Sequence, residues 1–143
     1  MRKTLTFCTF LFVSLLVLAQ NPCPQVIPAL QQWTGGKGTL ALPAQGSIVI
    51  NTADKDVLYD AATILAQDLK ELLGWEYAIR IGKVKNNEIY LSLSKPDEQL
   101  GEEGYVLRIA NRVNVEAPTV KGVFWGTRTL LQMLYHQKAK LAK

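Results

Sequence analysis

The amino-acid sequence predicts an α+β fold: a mostly antiparallel or mixed sheet of about six strands, with two helices packed on one of its faces. Three observations carry this. Asp54 to Leu73 is strongly amphipathic and reads as a helix with one apolar side. Short stretches of alternating polarity on both sides of it read as strands. Gly101 to Tyr135 reads as strand, tight turn, strand and second helix. Two helices that each expose one apolar side can share one sheet face. A length of 143 residues suits one domain with a modest core.

Residues 1–19 have the pattern of a secretory leader. Arg2 and Lys3 supply the positive start, and Leu5 to Leu18 is an apolar run broken only by Thr6, Thr9 and Ser14. The alternative is an uncleaved membrane anchor, but the run is shorter than the roughly 20 apolar residues that span a bilayer. Cleavage after Ala19 and a periplasmic or secreted product, with no stable membrane span, are therefore expected. A lipoprotein signal is disfavoured, because Cys23 follows Asn21 and Pro22 rather than a small residue at the end of the run. Loss of the leader removes Cys8 and leaves Cys23 alone, so no internal disulfide can form. It also removes Arg2 and Lys3, which leaves 14 basic against 12 acidic side chains. That weak charge, with no basic stripe interleaved with aromatics, argues against a nucleic-acid partner.

Residues 20–37 form an extended lead-in with Pro22, Pro24 and Pro28, and Val26, Ile27 and Trp33 are its expected anchors. The folded domain is expected over residues 38–135. Thr39 to Leu42 and Ser47 to Asn51 are strand candidates separated by a turn at Pro43 to Gly46. In the first helix Leu58, Ala61, Ala62, Leu65, Leu69, Leu72 and Leu73 recur at three- and four-residue spacing. Asp54 and Asp56 suit its start, and Gly74 suits a left-handed stop. Tyr77 to Ile81 and Glu88 to Leu93 alternate as strands, and the polar Lys83 to Asn87 between them reads as a hairpin loop. Lys95 to Gly101 is a polar excursion.

Two registers are open for the next hairpin. A two-residue loop at Asn111 and Arg112 would set Ile109 opposite Asn114 and mix the faces. A three-residue loop, Ala110 to Arg112, sets Ile109 opposite Val113 and Leu107 opposite Val115, so the apolar faces agree. It also brings Arg108 diagonal to Glu116. Thr119 can cap the second helix, whose expected stripe is Val120, Val123, Phe124, Thr127, Leu130, Leu131 and Leu134. Gly122 and Gly126 lie beside the stripe. Each costs about 1 kcal/mol relative to Ala in a helix interior, so the helix backbone must approach something closely there. Arg128 and Gln132 argue against a membrane-helix dimer built on this glycine pair. Residues 136–143 read as a basic tail.

No catalytic constellation emerges, and no cofactor or metal is expected. His136 is the lone histidine, without a partner nearby in the sequence. Glu102–Glu103 and Asp97–Glu98 are adjacent residues that point apart in an extended chain, so solvated loop charge is the simpler reading. Ser92 and Ser94 have no base and no orienting group beside them. Trp33, Trp75 and Trp125 could stack on sugars, but core or interface packing is the more usual role. Trp125 falls off the centre of its helix stripe and suits an interface.

Gly122-Val123-Phe124-Trp125-Gly126-Thr127-Arg128-Thr129-Leu130-Leu131-Gln132-Met133-Leu134, with Gly104-Tyr105-Val106-Leu107 upstream, resembles the N-terminal non-catalytic domain of glycoside hydrolase family 20, the β-N-acetylhexosaminidases. Val26-Ile27-Pro28 followed by Gly35-Gly36 is similar to the family's opening segment. The resemblance covers about residues 24 to 135. It implies an accessory domain that precedes a (β/α)8 barrel, in which a Glu protonates the glycosidic oxygen and an Asp orients the substrate's 2-acetamido group as nucleophile. This sequence ends at Lys143 and offers no residue for either role. The expectation is an exported accessory domain, inactive alone, whose partner is the barrel and whose packing contacts include Gly122, Trp125 and Gly126. The alternative is a standalone module that binds glycans or another glycosidase.

Overall fold

A computed structural model describes residues 20–137 and 140–143. The expected leader, with Cys8, and Lys138 of the tail lie outside the described residues. In chain order the elements are β1 (Thr39–Ala41), β2 (Gln45–Ile50), a 3-10 turn (Thr52–Asp54), α1 (Lys55–Leu73), β3 (Glu76–Ile81), β4 (Ile89–Leu93), β5 (Val106–Ile109), β6 (Val113–Ala117), α2 (Val120–His136) and β7 (Lys140–Ala142). The class is α+β, as expected. The main sheet has five strands in the order β3-β2-β4-β6-β5, and β1 pairs with β7 in a separate two-stranded sheet.

The sheet differs in detail from the hairpins expected before Gly101. Strands β3 and β4 do not pair. Both flank β2, and both run parallel to it, Ile48 lying level with Ile79 on one side and Ile89 on the other. Strand β6 is parallel to β4 as well, and only the edge strand β5 is antiparallel. The polar segment 82–88 is thus a crossing over β2 rather than a hairpin. Arg80 marks its path: its Nε donates to Ser47 Oγ (3.2 Å) and its Nη2 pairs with Glu88 (2.6 Å). Val49, on the face turned away from the helices, is fully buried between Arg80 and Tyr90 of the two flanking strands.

The β5–β6 hairpin has the three-residue register. Ile109 faces Val113, Leu107 faces Val115, and Arg108 meets Glu116 at 3.3 Å. Apolar side chains at alternate positions then line one face of the whole sheet: Ile48, Ile50, Ile89, Leu91, Val113, Val115 and Ala117 are all fully buried there. Both helices cover that face. Each follows one of the parallel strands, so they run side by side in the same direction. The left-handed Gly74 (φ 68°) stops α1, and the Trp75 N–H then donates to Leu69 O at 3.1 Å. Thr119 caps α2 by accepting from the Gly122 N–H at 2.9 Å.

The tail reading also changes. Leu141 of β7 is fully buried opposite Leu40 of β1, so part of the expected basic tail is a strand. Its lysines hid a period-two pattern only three residues long.

Candidate docking face

The helix glycines were expected to mark a close approach, and they do. A Cβ on Gly122 would fall 2.4 Å from the Gly104 carbonyl oxygen and 2.7 Å from the Ala117 Cβ. One on Gly126 would fall 2.5 Å from Val115 Cγ1 and 3.1 Å from the Tyr105 ring. The neighbours belong to this domain's own sheet and its lead-in to β5. Tyr105, seated over Gly126, shares a 2.6 Å hydrogen bond with the buried Thr129 hydroxyl. Of Gly122, Trp125 and Gly126, only Trp125 presents a side chain outward, at 40% exposure.

Most of the exposed large apolar side chains are on the two helices, with Ile81 of β3 and Ile27 of the lead-in exposed elsewhere. On α2, Phe124, Arg128 and Tyr135 recur at helical spacing on the side opposite the sheet, flanked by Trp125 and Gln132. On α1, Val57, Ile64, Asp68 and Leu72 lie on the shoulder nearest α2. An ion pair between Arg128 Nη1 and Asp68 Oδ2 joins the two rows. The Arg128 guanidinium also lies 4.8 Å from the Phe124 ring centroid, a cation–π contact. Ile64 and Leu72 lie about one turn to either side of Asp68 and Val57 about three turns before it, and all three are exposed, as are Trp125 and Tyr135 on α2. Leu72 and Val120, expected in the buried stripes, are exposed because they sit at the stripe margins, where the helix turns away from the sheet.

Gln132 extends this face to the lead-in segment. Its side-chain amide accepts from the Ile27 N–H and donates to the Ile27 carbonyl, each at 2.8 Å. The backbone of Ile27 is thereby fixed on α2 while its side chain stays 85% exposed. Val26 is the buried anchor beside it, and Trp33 Nε1 donates to Asn21 O at 3.0 Å. The apolar Val26-Ile27 pair suggests two inward anchors, but only Val26 is one. The signal that could have corrected it is the glutamine, the one amide on α2 able to satisfy a backbone pair.

The opposite, helix-free face is polar. An open groove of about 530 Å3 lies there, lined by Ser94, Asp97, Glu98, Val106, Arg108 and Glu116 among others. Arg108 engages Glu116, and Asp97 accepts from the Gln99 N–H at 2.9 Å. His136 is exposed and sits edge-on to Tyr135, at 5.6 Å. Ser92 is buried in β4, whereas Glu102 and Glu103 are exposed, with Glu103 paired to Lys121. Among the described residues no group of three or more His, Cys, Asp or Glu is arranged to hold a metal, and no helix is long and apolar enough to cross a membrane.

Glu88 is held in its ionised form by two neighbours. Burial disfavours the charge of Glu88, but the Lys85 N–H (2.6 Å) and the Arg80 guanidinium outweigh it and keep its carboxyl below the ordinary range. Glu88 anchors the crossing segment.

The profile of glycosyl hydrolase family 20, domain 2, matches residues 23–143. A lacto-N-biosidase of Bifidobacterium bifidum is 32% identical over 113 residues, which is 78% of this chain and 10% of that protein. Among solved structures, a GH138 enzyme targeting pectin rhamnogalacturonan II superposes with a TM-score of 0.50 at 22% identity, over 62% of this chain and 10% of that one. This last likeness is one of fold alone. The chain spans about a tenth of the length of these larger proteins. It belongs to glycosyl hydrolase family 20, as the family's domain 2.

Proposed function

We propose that this chain is the accessory domain of an exported β-N-acetylhexosaminidase, which removes terminal N-acetylhexosamine residues, and that it is inactive without its barrel. Its part is to pack on the (β/α)8 catalytic barrel. The observation that carries this reading is the outer face of the two helices, where Trp125 and Tyr135 of α2 and Val57, Ile64 and Leu72 of α1 lie uncovered and one ion pair joins the two helices. Exposed apolar bands of this kind mark interaction surfaces, and aromatic and Arg side chains are the usual anchors within them. Membership of a domain found in larger glycosidases, and a relative that is a lacto-N-biosidase, support a hydrolase partner. Catalysis by the parent would rest on the Asp–Glu pair of the barrel, and no residue here substitutes for it.

Purified residues 20–143 should not hydrolyse a chromogenic N-acetylglucosaminide. Measurable turnover would overturn the reading, as would a nucleotide sequence beyond Lys143 that encodes no barrel. The polar groove on the helix-free face favours a second reading, a glycan-binding module. Saturable glycan binding that is lost in Arg108→Ala, by the chain without a barrel, would favour it.

A further inference from the structure

The described chain arrives at and leaves the domain at one place. The Asn21 N–H donates to Gly36 O at 2.9 Å, and the Asn21 side-chain amide donates to Gly38 O at 2.7 Å and Lys143 O at 2.9 Å. The Gly36 N–H donates to the same Lys143 oxygen at 2.6 Å, and the Lys143 N–H returns to Gly38 O at 3.2 Å. Trp33 closes the set through its bond to Asn21 O. A Cβ at position 36 would be crowded at 3.1 Å from the Lys143 backbone, and one at position 35 would fall 2.1 Å from Asn21 O, so it is Gly35 that must lack a side chain. Leu141, two residues before Lys143, is fully buried.

We infer that Asn21 is the positioning residue of a clasp that fastens the lead-in segment to β7 and fixes the direction in which the chain departs at Lys143. Two donors hold the Lys143 oxygen, and Asn21 supplies one of them. One side chain thus ties two backbone carbonyls, Gly38 and the distant Lys143, to the start of the lead-in. The consequence for a following domain rests on the function proposed above: the barrel would be held by a stiff shoulder rather than by a flexible tether. The docking face would then meet it in one orientation.

Hydrogen exchange and spin-label distances test this in residues 20–143. The Gly36 and Lys143 amides should be protected together. Asn21→Ala, and Asn21→Asp, which keeps the size but removes the donors, should speed exchange at both by about tenfold or more, while amides in α1 and α2 stay protected. Labels placed through Glu71→Cys and Lys143→Cys in a Cys23→Ser background should give a narrow distance distribution that broadens in Asn21→Asp. Fast exchange at Gly36 and Lys143 in the unmodified chain overturns the inference. So does a broad distribution there, or variants with unchanged protection and distances. If the variants fail to fold, the unmodified chain still decides. Failure here leaves the helix-face reading standing, since that reading is measured at Trp125 and Tyr135.

Discussion

Gly122→Ala is the most demanding perturbation, because two effects of known sign oppose each other. Alanine is favoured over glycine in a helix interior by about 1 kcal/mol, so an isolated α2 would gain. The new Cβ, however, would lie 2.4 Å from the Gly104 carbonyl oxygen and 2.7 Å from the Ala117 Cβ. A carbon and a carbonyl oxygen rest at about 3.3 Å, so helix and loop would have to separate by about 0.9 Å at that point. Neither neighbour is the mobile end of a long side chain. Overpacking costs about 1–3 kcal/mol, and two immobile neighbours put this site near the upper end. The net expectation is a loss of about 2 kcal/mol. Urea unfolding followed by far-UV circular dichroism should show a midpoint lowered by about 1 M at an unchanged slope. An unchanged or raised midpoint would refute the close approach of α2 to the lead-in of β5.

Three further outcomes are expected. Leu141→Ala should cost about 2–5 kcal/mol, measured by the same unfolding, because Leu141 is a core residue of β7; a tail side chain would cost almost nothing. Glu88→Gln should flatten the acid side of the stability profile. The folded carboxyl is held below its ordinary value of 4.5, so its contribution is present above that value and disappears as pH falls through the lower folded value. The stability difference between native and Glu88→Gln proteins should therefore shrink on acidification and stay constant above about pH 6. Trp125→Ala should alter the stability of the isolated chain by less than about 1 kcal/mol, while weakening its attachment to a barrel by about 2 kcal/mol or more.

The sequence was most informative where apolar pattern and turn length constrain each other. Only one loop length in the 105–117 hairpin keeps Ile109 and Leu107 on the face of Val113 and Val115, and the structure has that register. Gly74 and Thr119 were equally legible, since each meets a local backbone need that few residues can meet. Strand direction was not. Alternation at Tyr77–Ile81 and Ile89–Leu93 is the same whether the strands pair with each other or each with β2, and a seven-residue polar connection suits either. The central place of β2, with Val49 buried on the second face, shows in the sequence only as an uninterrupted Ile48-Val49-Ile50 run. The docking face was half legible. Trp125 stood off the stripe, but Leu72 and Val120 were counted inward because apolar identity alone does not separate a core from an uncovered rim.

If the domain packs on a barrel through its outer helix face, that face is covered in the assembled enzyme. Hydroxyl-radical footprinting of Trp125 and Tyr135, in residues 20–143 and in a protein where a family 20 barrel follows Lys143, tests it directly. Both side chains should be labelled freely in the isolated domain and several-fold less when the barrel is present, with Tyr90 and Val106 on the helix-free face unchanged. Equal labelling of Trp125 and Tyr135 in the two proteins, with protection appearing at Tyr90 and Val106 instead, would contradict it.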